Sequence, residues 1–194
     1  MASKARKAFD ANAQDIAQLL TIHTTIGGDG RGRRYDLEVL NKSAIVLITA
    51  FWEAYCEDIA SEALMHIVRW VDDPDKLPTI LKKQIATELK KDAHDLAIWK
   101  ISGDSWRKHL LSKLDAMTEA RNRAVNTPKS AQIDQLFLEA LGIEQMTESW
   151  KWHTVSSVTA RKKLDAFVTL RGSIAHRGAA EQTPTMAPPT SPGI

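Results

Sequence analysis

The chain has 194 residues, 43% of them hydrophobic and 26% charged, which suits one domain with a sizeable core and excludes wholesale disorder. Its net charge of +2 excludes a strongly cationic nucleic-acid coat but not a local basic patch. The single cysteine, Cys56, excludes an intramolecular disulfide framework and a Cys-rich zinc or iron–sulfur site. No apolar segment follows the basic start at Lys4, Arg6 and Lys7, so no signal peptide is expected. The longest apolar run, Ala44 to Trp52, is about half of what crosses a bilayer. A cytoplasmic protein without a membrane segment is the expectation.

Phe9, Ala13, Ile16 and Leu20 recur at helical steps and predict a first helix from about Ser3 to His23. The glycine-rich, basic stretch from Gly27 to Arg34 ends it as a loop. A long helix is predicted next, over about Asp36 to Val71, on a stripe that runs from Leu37 and Leu40 through Ala44, Leu47 and Phe51 to Trp70. Ile45, Ile48 and Trp52 widen that stripe, so the helix should be covered on more than one side. A polar helix is expected over Pro78 to Lys91, with Pro78 suited to a first turn. Asp104 should cap a helix that runs to about Ala124, and a short helix should span Ser130 to Leu141 and stop at Gly142. A last helix begins near Ser156 or Ser157 and closes at Arg177, with Ala160, Leu164, Phe167, Leu170 and Ile174 on one face. No segment alternates as a strand would. The Pro-rich composition after the last helix predicts a disordered tail. The expected architecture is an all-α bundle around one long central helix, with a single domain over 1–178 and a tail over 179–194.

No two of the six histidines stand three to five residues apart, so the helical metal-binding pair is absent. Asp72, Asp73 and Asp75 read as a solvated turn before they read as a cation site. The 27–34 loop lacks the Gly-Lys-Ser/Thr of a nucleotide-hydrolysing phosphate loop. Arg31, Arg33 and Arg34 in that loop suit either a phosphate-backbone grip or a charged solvated connector. Trp150-Lys151-Trp152-His153 interleaves aromatic and basic residues; exposed, these rings would stack on unpaired bases, and packed, they belong to the bundle. A G-x-S-x-G nucleophile is missing, and Cys56 on the long helix reads as a packed thiol. Arg171-Gly172-Ser173-Ile174-Ala175-His176-Arg177 remains. Its Arg and His are five residues apart, about 7.5 Å of helical rise and about 140° of turn. By itself that spacing is common and fits charges that complement a helix end.

Three segments give it context: Leu40-Asn41-Lys42-Ser43 with Ala50-Phe51-Trp52-Glu53-Ala54-Tyr55 on the long helix, Val125-Asn126-Thr127-Pro128, and the terminal Arg171 to Arg177. Together they resemble the HEPN superfamily and, within it, the RiboL-PSP-HEPN group. The resemblance covers about Leu37 to Gly178. It implies a helical bundle that commonly dimerises, and a metal-independent endoribonuclease site drawn from both subunits, as in toxins of toxin–antitoxin pairs and effectors of phage defence. Carried onto this chain, the catalytic residues are Arg171 and His176, with Glu53 as a supporting carboxylate and Arg31, Arg33, Arg34 and Arg177 as RNA contacts. Many family members place Asn, Asp or His directly after the Arg; here Gly172 stands instead. No cofactor or metal is expected. The expected partners are RNA, a second copy of the chain and an antitoxin or defence-system protein. The alternative is a non-catalytic RNA-binding or dimerisation module on the same fold.

Overall fold

The structure, a computed structural model, describes residues 2–27, 38–123 and 127–177, with the side chains of 26–27, 120–123 and 176–177 outside that description. Helix α1 (Lys4–Gly27) starts at Ser3, whose hydroxyl accepts the Arg6 amide at 3.0 Å. The next two needs of the helix end are met from elsewhere. Glu62 takes the Lys4 amide on Oε1 and the Ala5 amide on Oε2, each at 3.0 Å. These amides hold the Glu62 carboxyl below the usual carboxylate range. Glu62 lies on α2 (Glu38–Trp70), so the cap also fastens α1 to α2. At the other end of α1, Asn41 Nδ2 lies 3.4 Å from His23 Nε2, which makes the pair antiparallel.

α2 spans 33 residues, roughly 50 Å of helix. It packs against α1 and against three later helices, α4 (Ser105–Arg123), α5 (Ser130–Leu141) and α6 (Ser157–Arg177). A helix touched on so many sides carries apolar residues on several faces, and spacing alone cannot say which of its lines is most enclosed. The stripe expected through Leu47 and Trp70 is corrected here. Ala44 is buried as expected, but Leu47 is exposed and Trp70 is 73% exposed, and the buried line passes from Ala44 through Thr49, Cys56, Ala60, Leu64 and Val68. Thr49 tolerates burial because its hydroxyl donates to the Ile45 carbonyl at 2.7 Å.

After α2 the acidic run folds on itself. Asp73 accepts the Asp75 amide at 2.9 Å, and Lys76 pairs with Asp72 at 2.7 Å, around a short 3-10 helix at Pro74–Lys76. α3 (Thr79–Lys91) then sends Leu81, Ile85 and Leu89 into the core, where they meet Leu64, Trp106, Leu110 and Phe137. Two further 3-10 helices, Ala97–Ile101 and Met146–Ser149, join the longer elements. The Arg107 guanidinium lies 4.4 Å over the Trp106 ring and donates to the Val68 carbonyl, closing the C-terminal end of α2. Lys113 of α4 donates to Gln84 at 2.6 Å, and Gln84 donates to the Leu138 carbonyl at 3.1 Å, so one polar chain crosses α4, α3 and α5. Burial there lowers the Lys113 ammonium from its ordinary pKa.

α5 ends where its residues require. Gly142 adopts φ 69° and donates to the Leu138 carbonyl at 2.9 Å, the left-handed stop that favours glycine. Two carboxylates hold α5 in place. Asp165 of α6 accepts the Ser130 amide at 2.8 Å and its hydroxyl at 2.9 Å. Asp134 of α5 takes the Thr147 amide at 2.7 Å and its hydroxyl at 2.9 Å, with Arg161 of α6 at 3.6 Å. Ser130 and Thr147 are both buried, so each grip satisfies polar groups that water does not reach. The chain is an all-α bundle of six α-helices among the described residues, and an isolated bridge between Trp152 and Val155 is its only β pairing there. None of these helices is long and apolar enough to cross a membrane.

Candidate functional site

The face that α6 turns inward decides what Arg171 can do. Ala160, Val168 and Ile174 are buried, and Leu164 and Arg171 fill the steps between them. The line therefore runs 160, 164, 168, 171, 174, at four, four, three and three residues. Phe167 and Leu170, expected at its centre, are its half-buried flanks. Arg171 thus occupies a position on the packed face where an apolar residue would ordinarily stand. Its Nε is shielded from solvent and has no hydrogen-bond acceptor among the described residues. A shielded donor left in that state costs about 1–3 kcal/mol. Such a cost is more readily tolerated at a functional site than in ordinary packing.

The helix carries the backbone on through His176 and Arg177. The side chains of those two residues lie outside the described residues, as do Arg31, Arg33 and Arg34 entirely. Between Arg171 and His176, Gly172 has nothing within 4 Å of the place a Cβ would occupy. Among the described residues, an added methyl group meets no neighbour there.

Glu53 sits elsewhere in the bundle. It lines a cavity of about 360 Å³ between α2, α4 and α5, together with Cys56, Glu57, Thr127, Pro128 and Glu139. Glu53 and Thr127-Pro128, far apart in sequence, therefore face one space. No α6 residue is among the described walls of that space, so Glu53 and Arg171 do not share it. The Ser130–Asp165 grip joins the α5 side of the cavity to α6, and Arg171 follows Asp165 by six residues, roughly 9 Å of helix. Sequence spacing carried no hint of this cavity, because its walls come from three elements. Burial, reinforced by Glu57 and Glu53, pushes the thiol of Cys56 on its wall up to about 12, which disfavours the thiolate that a nucleophile needs.

The two tryptophans of the 150–153 segment have opposite fates. Trp150 is half-buried and meets Trp52 edge-on, with ring centroids 5.8 Å apart. Trp152 is 59% exposed, at a turn closed by bonds between Trp152 and Val155 of 3.1 and 3.0 Å. Lys151 and His153 are exposed beside it. Among the described residues no three His, Cys, Asp or Glu side chains gather to hold a metal ion.

No curated protein and no solved structure matches the chain. A family model, described as RiboL-PSP-HEPN, matches residues 9–187. That span begins in α1, includes all of α2 to α6, and carries both the Glu53 segment of α2 and the Arg171 to Arg177 close of α6. The chain belongs to the RiboL-PSP-HEPN family, a HEPN-type family.

Proposed function

We propose that the protein is an endoribonuclease that works without a metal ion, with Arg171 and His176 as its catalytic residues. The observation that carries this reading is Arg171 on the packed face of α6, half-buried, its Nε shielded and without an acceptor among the described residues. A partly exposed guanidinium can donate to an anion, and the developing negative charge of a phosphoryl transition state is such an anion. Family membership supplies the RNA side of the proposal.

The chemistry follows from RNA itself. His176, near neutrality in its ordinary pKa, takes the proton of a ribose 2′-hydroxyl. The freed 2′-oxygen attacks the adjacent phosphorus. Arg171 offers parallel N–H donors to the non-bridging oxygens as charge gathers there. The bond to the 5′-oxygen breaks, and that oxygen leaves with a proton from a second acid, for which the His176 of a second copy is suited. The products are a 2′,3′-cyclic phosphate and a 5′-hydroxyl, and DNA is resistant because it has no 2′-hydroxyl. A dimer is then a requirement of catalysis. Arg31, Arg33, Arg34 and Arg177 serve as phosphate contacts; Glu53, on the wall of the separate cavity between α2, α4 and α5, stands apart from Arg171 and takes no part in this step. A nuclease of this kind inside a cell needs restraint, which suits a toxin or phage-defence effector silenced by a partner protein.

Labelled RNA incubated with the protein and EDTA tests the reading. Cyclic-phosphate ends that vanish with His176→Ala and with Arg171→Ala are the expected result. Intact RNA under every condition leaves the second reading, a non-catalytic RNA-binding module. The specific observation on its side is Gly172, which leaves open space directly after the motif Arg.

A further inference from the structure

A second cavity, of about 320 Å³, opens between α1, α2, α5 and the Met146–Ser149 segment. Its walls include Phe9, Trp52, Tyr55 and Trp150, with Arg6 also lining it. The rings form one connected set. Phe9 lies 5.0 Å from Tyr55 and 6.2 Å from Trp52, Trp52 lies 5.7 Å from Tyr55, and Trp150 meets Trp52 at 5.8 Å. This volume is at the small end for ligand sites, the size for one compact planar molecule rather than an extended cofactor.

One polar feature narrows the chemistry, since the Trp52 indole N–H is shielded and its nitrogen offers a ligand no surface. Arg6 is 58% exposed and pairs with Asp10 through Nε at 2.7 Å. That bond uses one of the five guanidinium donors and leaves those on the two Nη atoms. The α1 amides nearest by are already taken by Glu62, so an anion arriving at this end of the bundle meets Arg6 rather than the helix end. A planar ring with an attached phosphate complements the aromatic walls and Arg6 together. A hydrocarbon would leave the guanidinium unanswered.

We propose that this cavity binds one unpaired purine nucleotide of an RNA strand, its base among Phe9, Trp52 and Trp150 and its phosphate on Arg6. The identification of the strand as RNA rests on the proposed function; the nucleotide site itself does not. A purine offers a larger face for stacking than a pyrimidine. The site is separate from α6, since no α6 residue is among its described walls.

Calorimetric titration of the full chain with AMP and GMP tests the proposal, with UMP, adenosine, ribose 5-phosphate and indole as comparison ligands. Saturable binding of AMP or GMP, stronger than that of UMP, is expected. Phe9→Leu should weaken AMP on the order of tenfold by removing one ring, while helicity is checked by circular dichroism. Arg6→Gln should weaken AMP but leave adenosine unchanged, which separates the phosphate contact from general damage. Trp99→Ala, which removes an exposed ring outside the cavity, should leave AMP binding intact. The proposal is overturned if no purine nucleotide binds at millimolar concentration, if indole binds as well as AMP, or if Arg6→Gln affects AMP and adenosine alike. A protein that cuts RNA but ignores nucleotides loses this site and keeps its nuclease assignment. One that binds AMP but cuts nothing keeps the site and loses the nuclease.

Discussion

Arg171 is the residue at which folding and function ask for different things. Met in its place would fill the same space on α6 and leave no shielded donor unpaired. Arg171→Met is therefore expected to raise stability by about 1 kcal/mol in thermal or urea denaturation while RNA cleavage is lost. A loss of stability instead would show that the guanidinium holds the bundle together. Cys56 allows a simpler check. With its thiol pushed up to about 12, it should resist iodoacetamide in the folded chain at mildly alkaline pH and react once urea unfolds it. Fast labelling of the native chain would mean that the cavity wall opens readily. Glu62 sets a pH dependence. Its folded carboxyl is held below its unfolded value, so its contribution is present above the ordinary carboxylate range and is lost as pH falls through the folded pKa. Glu62→Gln should accordingly be less stable than the parent at neutral pH, with the difference closing in acid.

Two glycines on neighbouring elements predict opposite outcomes for the same change. Gly172 lies inside α6 with open space around it, so Gly172→Ala should stabilise the helix by about 0.5–1 kcal/mol. Gly172→Asn tests instead whether a polar side chain after the motif Arg raises cleavage. At Gly142 the backbone has φ +69°, and a Cβ would come within 3.0 Å of the Leu81 amide and 3.2 Å of Ile80 Cβ. Gly142→Ala should cost on the order of 1–3 kcal/mol, measured by the same denaturation. Gly142 was readable from sequence because a helix stop is local chemistry, and the span Ser130–Leu141 that precedes it matches the residue pattern at both ends. The centre of α2 was not readable in that way: with apolar residues on several faces, only the packing of four neighbours selects Thr49 and Cys56 over Leu47. Trp150 and Trp152 stand in a non-helical turn, where no periodicity says which ring faces inward. Arg171 could be named from a family pattern, but its shielded position depends on how α6 is rotated against its neighbours. Glu53 and Thr127 were both visible in the sequence as separate segments; that they face one cavity is a fact of the fold.

At the scale of the whole molecule, α2 is the element on which α1, α4, α5 and α6 all pack. If catalysis needs the α6 ends of two copies, cleavage per chain should rise with chain concentration and level off when dimers saturate. A rate strictly proportional to concentration down to great dilution would assign a complete site to each monomer. The two carboxylate grips on α5 carry a consequence for how this assembly breathes. The first amides of a helix normally exchange their hydrogens quickly, because no preceding carbonyl holds them. The amide of Ser130, the first residue of α5, is held by Asp165 of α6 in a buried setting, and that of Thr147 is held by Asp134. In deuterium oxide both should therefore persist as long as amides in the middle of the core. Ser130 in particular can exchange only when α5 parts from α6, so its lifetime clocks the separation of the helix that carries Arg171 from the rest of the bundle.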